Sequence, residues 1–198
     1  MRKIKNIGML RVNAVLVFTL ITGASSFSFA QNSLEASSTP GKQEIYITNS
    51  YTARDAEFLS RASEINMEEI SLGQLAQKRS TMADVKDLGK MMEEVHTKSM
   101  KDLTALAKAK MITIPKVETY KAQKVYGNLN SKTDADFDKA YCDAMIMGHK
   151  HAITLFEKAS QESDDADIKK WATETLPVLR THLEHSISCL EKCEKVKG

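Results

Sequence analysis

Four stretches of this chain repeat their apolar residues every three or four positions, and the lengths of the connections between them leave few folds open. Phe58, Leu59, Ala62, Ile65, Leu72 and Ala76 mark an amphipathic helix over residues 54–78. Leu88, Met92, Val95, Ser99, Leu103, Leu106 and Ala107 mark a second, which ends near residue 110. Tyr141, Cys142, Met145, Ala152 and Phe156 share one side of a third over residues 136–162. A fourth, over residues 168–195, is expected to turn Trp171, Thr175, Val178, His182, Cys189 and Leu190 inward. Residues 80–84 and 163–167 are short turns rich in Ser, Thr and Asp, which cap helix starts. Residues 111–133 are different, because Pro115, Gly127 and an Asn-Ser pair interrupt them, leaving room for one short helix around Val125 and Tyr126. At about 3.3 Å per extended residue that connection outreaches a helix of roughly 40 Å. Two hairpins joined by such a link predict an all-α fold, a four-helix bundle with a long crossover between helices 2 and 3, as in ferritin-like proteins. Pro177 removes one backbone bond within the fourth helix and predicts a bend about a turn before His182.

The first 30 residues do not belong to that domain. Arg2, Lys3, Lys5 and Arg11 precede an apolar run too short to span a bilayer, followed by small residues up to Ala30. This is the pattern of a cleaved secretory signal over residues 1–30, which predicts a periplasmic or secreted product with no transmembrane segment after cleavage. Residues 31–50, rich in Ser, Thr and Asn, read as a flexible leader, and residues 51–198 as the bundle domain. Cleavage removes four of the 28 basic residues and no acidic one, leaving 24 against 26 and a net charge of −2 in place of +2. No basic footprint for nucleic acid remains. The sequence leaves open a protein partner or self-association.

The informative residues are polar ones placed where the apolar stripes should continue. Glu69, His96, His149 and His182 each lie near the middle of their own helix and on its inward face, so all four fall at one level of the bundle. Buried charge costs several kcal/mol unless it is paired or coordinated. Two solutions exist. Glu69 accepts hydrogen bonds from the imidazoles and the layer only fixes helix register, or the same groups converge on one divalent transition metal (Zn, Cu, Fe or Mn). Glu93, three residues before His96, is a further candidate ligand, and Glu93 to His96 matches the Glu-x-x-His pattern of dinuclear carboxylate bundles. Leu179 stands where the second copy needs its acid, so the pattern favours a mononuclear site. Met92, Met100 and Met145 lie one turn from these histidines and suit either copper or plain core filling. His151 points to solvent and His185 sits at the stripe's edge.

Cys142 lies two turns before His149 and Cys189 two turns after His182, so an antiparallel hairpin brings them level. In an exported chain this predicts a Cys142–Cys189 disulfide with Cys193 left over. No nucleophile elbow, phosphate-binding glycine loop or Cys-x-x-Cys zinc pattern occurs, so no catalytic residue is assigned.

The segments Glu69–Ala76, Phe137–Met145, Leu155–Glu157 and Leu176–Leu183, together with His96 and His149, resemble the bacterial exported family called domain of unknown function 4142. The resemblance covers roughly residues 55–190. It implies a ferritin-like bundle in an outer-membrane or periplasmic protein of unassigned activity, with Glu69, His96, Asp143, His149 and His182 on characteristic positions. Val95 and Gly148 depart from the family, whose members usually carry acids there. The functional expectation is an exported bundle that holds one metal for storage, buffering or stress protection. Its competitors are a structural or interaction module and a metal-dependent redox enzyme.

Overall fold

A computed structural model describes residues 52–195; the expected signal and leader, residues 1–30 and 31–50, fall outside the described residues. Five α-helices and no strands are present among them: α1 (Ala53–Arg79), α2 (Ala83–Ala109), α3 (Tyr120–Asn130), α4 (Asp134–Glu162) and α5 (Ala166–Lys195). The helix starts follow local chemistry. Thr52 and Asp55 form a reciprocal capping box at α1, each side chain accepting from the other's backbone N–H at 3.3 and 3.1 Å. Asp165 Oδ1 accepts from the N–H groups of Asp167 and Ile168 at the start of α5. The α1–α2 turn differs from expectation: Met82 occupies the cap position without a side-chain bond, and Ser80 Oγ accepts from the Met82 N–H instead.

α1 packs chiefly on α2 and α4 chiefly on α5, while α1 also meets α4 and α2 meets α5. The α1–α2 seam is close because it is built on glycine. A Cβ on Gly73 would lie 2.6 Å from the Gly89 carbonyl, and one on Gly89 would lie 2.8 Å from both the Gly73 carbonyl and Ala76 Cβ. Only bare backbone fits there.

The apolar interior comes in two parts. One, around Phe58, Leu59, Leu103, Phe156, Ile168 and Leu179, includes the edge-to-face pair Phe58–Phe156 with centroids 5.0 Å apart. The other gathers Leu72, Leu75, Val85, Met92, Phe137 and Tyr141. The order in which each long helix visits them gives its direction: α1 and α5 run from the first part to the second, α2 and α4 the opposite way. The α2–α4 connection must therefore return along the molecule. Ile112 packs in the first part and Leu129, on α3, in the second, so it does.

The inward face of α5 differs from its sequence expectation. Ala172, Leu176 and Leu179 are buried, Trp171 and Thr175 are half-buried, and Val178 is exposed. The stripe is rotated because Leu176 and Leu179, at three-residue spacing before His182, outcompete Thr175 and Val178 for the interior. Pro177 sits on the exposed side, where water can satisfy the carbonyl it leaves free, and α5 continues through it as one helix. None of the described helices is long and apolar enough to cross a membrane.

Candidate functional site

Between the two apolar parts lies a polar layer drawn from all four long helices. Glu69 and Asn66 come from α1, His96 from α2, His149 from α4 and His182 from α5, and all five are buried. The three imidazole rings face one another with centroid separations of 5.2, 5.4 and 5.7 Å. One nitrogen from each can be chosen so that all three lie within 4.8 Å of one another.

The proton positions follow from the partners. His149 Nδ1 lies 2.9 Å from the Met145 carbonyl, which only accepts, so Nδ1 carries the proton and Nε2 is bare. That bare nitrogen then accepts from His182 Nδ1–H at 3.2 Å. His96 Nδ1–H donates to Asn66 Oδ1 at 2.9 Å, which leaves His96 Nε2 buried with no partner. His96 and His149, held at Nδ1 by an amide and a carbonyl, have the arrangement of metal-ligating histidines before the ion arrives, whereas His182 turns its Nδ1 toward His149.

Glu69 stands beside this trio rather than within it. Its Oε1 is 3.8 Å from His149 Nδ1, beyond hydrogen-bonding distance, and Oε2 has no partner. Burial, with a smaller push from the Glu68 charge, raises its carboxyl from the ordinary range up to about 8. Burial also lowers all three histidines, reinforced at His96 by its two neighbours, and brings His182 down to about 4. At neutral pH the layer is therefore uncharged, and His96 Nε2 is its unengaged imidazole lone pair. Gly148 gives the carboxyl room, since a Cβ there would lie 2.9 Å from Glu69 Oε1 and the side chain would have to shift.

The structure brings together the three histidines that sequence spacing singles out and sets Glu69 beside them, but Glu93 does not join them. Its carboxylate accepts from the side-chain amides of Gln74 at 2.8 Å and Gln77 at 2.7 Å, at the half-buried α1–α2 seam. About 60° of helical rotation from His96 is enough to carry it out of the layer. Asp143 is exposed, as are His151 and His185. Met92 and Met145 are ordinary core residues. Asn66 was the silent member: it lies four residues after Ala62 on the inward stripe, a signal present in the spacing but weak for an amide.

The cysteines also differ from expectation. Cys142, Cys189 and Cys193 are all unbridged thiols, and all are buried. Cys142 and Cys193 approach most clearly, with sulfurs 3.9 Å apart, because Cys193 is one turn beyond Cys189 on the same face of α5.

An all-helical fold with a buried histidine layer between two apolar cores is the class of protein that these features define. The chain belongs to the family described as Domain of unknown function (DUF4142), whose profile matches residues 41–188. No curated protein matches it significantly. A crystal structure of a DUF305 fragment from Deinococcus radiodurans is similar in fold, with a TM-score of 0.64 over 72% of this chain and 98% of that one. At 11% identity that likeness concerns the fold alone.

Proposed function

We propose that this is an exported four-helix bundle of ferritin-like topology that binds one divalent transition metal through His96, His149 and His182, with Glu69 as the adjoining carboxylate. The return of the α2–α4 connection along the molecule supports the topology. The observation that carries the metal reading is the partnerless, buried Nε2 of His96, on an imidazole clustered with two others. An unpaired buried acceptor costs about 1–3 kcal/mol, and an ion would remove that cost for His96. Neutral imidazoles suit zinc, copper and iron better than the harder cations. A cleft of about 210 Å³, lined by Asn66, Val95, His96, Trp171 and His182 among others, leads to the layer from outside. Its role on this reading is storage, buffering or stress protection in the periplasm or outside the cell, with residues 1–30 as the export signal.

A second reading keeps the layer as a hydrogen-bonded register device, and the His149–His182 and His96–Asn66 bonds favour it. The mature protein, purified without a histidine tag, separates the two. Metal binding predicts one equivalent of Zn, Cu, Fe or Mn, lost in His149→Ala, and a fall in melting temperature on adding a chelator. A wild-type protein that takes up none of the four ions, with a melting temperature indifferent to chelator, leaves the register device.

A further inference from the structure

The three thiols form a second layer, about two helical turns along the axis from the imidazoles. Seven residues separate Cys142 from His149 on α4 and His182 from Cys189 on α5, a rise of roughly 10 Å in each case. We propose that Cys142, Cys189 and Cys193 form a trigonal thiolate site for monovalent copper, distinct from the histidine layer and independent of whether that layer holds metal.

The geometry supports it first. The three sulfurs lie within 4.8 Å of one another, and Cys142 and Cys193 are 3.9 Å apart. Thiolates about 2.3 Å from a shared ion, arranged as a triangle, sit about 4.0 Å apart. One edge therefore has the required length already, and the others contract by less than about 1 Å on the same estimate. Among the described residues no histidine or carboxylate joins the three sulfurs at that range, so the site offers three soft ligands rather than the closed four of structural zinc. Three soft thiolates select Cu(I) among the common ions.

Access and charge support it next. Cys189 forms part of the wall of a surface cleft of about 360 Å³ that also carries Asp84, Asp87, Met91 and Glu184. Lys192, in the same cleft, is ion-paired with Asp84, which leaves Asp87 and Glu184 to draw cations to the mouth, and the Met91 thioether is a soft contact on the way in. Binding is then Cu(I) plus three thiols giving a Cu(I)–trithiolate and three released protons. No electron is transferred, and the ion enters already reduced.

The test is anaerobic titration of the full mature chain with Cu(I) against a chromophoric Cu(I) chelator. Thiols are first counted after denaturation in excess chelator. The expected result is three free thiols, one Cu(I) equivalent that His149→Ala retains, and a Cys189→Ser variant weakened by more than the roughly 10–100-fold that loss of an outer-shell partner costs. Alkylation of the folded wild type with and without Cu(I) needs no variant, and protection of all three cysteines by the ion supports the site even if Cys189→Ser fails to fold. Fewer than three free thiols in the exported protein, an unchanged affinity in folded Cys189→Ser, or no protection by Cu(I) would each overturn it. Loss of Zn or Cu(II) uptake in His149→Ala with Cu(I) binding intact would separate the two layers.

Discussion

Replacing Glu69 by Gln should make the metal-free protein more stable, and increasingly so as pH rises. The carboxyl is held at about 8 in the fold, against an ordinary 4.5. Folding therefore favours the protonated form. Below pH 4.5 Glu69 is protonated in both folded and unfolded chains, and its burial adds no pH-dependent cost. Between 4.5 and 8 the unfolded chain releases the proton and the folded one keeps it, so stability falls with pH until both are ionised. The gap of 3.5 units corresponds to about 5 kcal/mol. The structure explains why so much is at stake: Oε2 has no donor, and the nearest imidazole nitrogen is 3.8 Å away. Urea unfolding of wild type and Glu69→Gln in chelator, at pH 4.5 and pH 9, isolates the effect, since other titrations cancel in the difference. The variant's advantage should grow by several kcal/mol across that range. A difference that stays flat with pH would show that Glu69 is solvated or paired in solution and that the layer carries its charge at neutral pH.

Three further perturbations probe the parts around it. Gly73→Ala gains about 1 kcal/mol of helix propensity but forces a Cβ to 2.6 Å from the Gly89 carbonyl and 3.0 Å from the Glu93 nitrogen, both backbone atoms. An overpacking cost of about 1–3 kcal/mol should win, giving net loss, whereas Gly127→Ala, with nothing within 4 Å of the new Cβ, should stabilise by about 0.5–1 kcal/mol; denaturant midpoints of the pair check the contrast. Asp165→Ala removes the α5 cap and the buried partner of Lys110, 2.7 Å away, and should cost about 2–3 kcal/mol, read by thermal and urea unfolding. His182, lowered to about 4 from 6.5, resists protonation in the fold, so its contribution is whole above pH 6.5 and declines as pH falls to 4 and below. An acid titration of apo stability should show up to about 3 kcal/mol of loss there, reduced in His182→Gln.

The helices, their order and the polar layer could be read from the sequence because each rests on periodicity, and a 3.6-residue period fixes which residues face inward to within about one position. That tolerance explains the errors. Val178 and Leu179 are adjacent, and only packing against α2 and α4 decides that leucine goes in. Glu93 lies only about 60° around α2 from His96, and the groups that engage it at the seam instead, Gln74 and Gln77, belong to a different helix. Neither fact is local. The cysteines show the same limit: the levels of Cys142 and Cys189 follow from counting turns, but that Cys193 leans into the same space depends on how α5 lies against α4. Gly148 reads as a simple departure from the family until Glu69 Oε1 is seen to lie 2.9 Å from where its Cβ would be.

The division of the interior by a polar layer also bears on how the molecule breathes. A continuous apolar core opens as one unit, but here the two apolar clusters are separated by histidines, an amide and a carboxyl, so each end is expected to open as a cooperative unit of its own. Amide exchange should therefore report two protection plateaus along every long helix, with the step near residues 69, 96, 149 and 182. An ion seated in the layer would tie those plateaus together and make the two halves open as one.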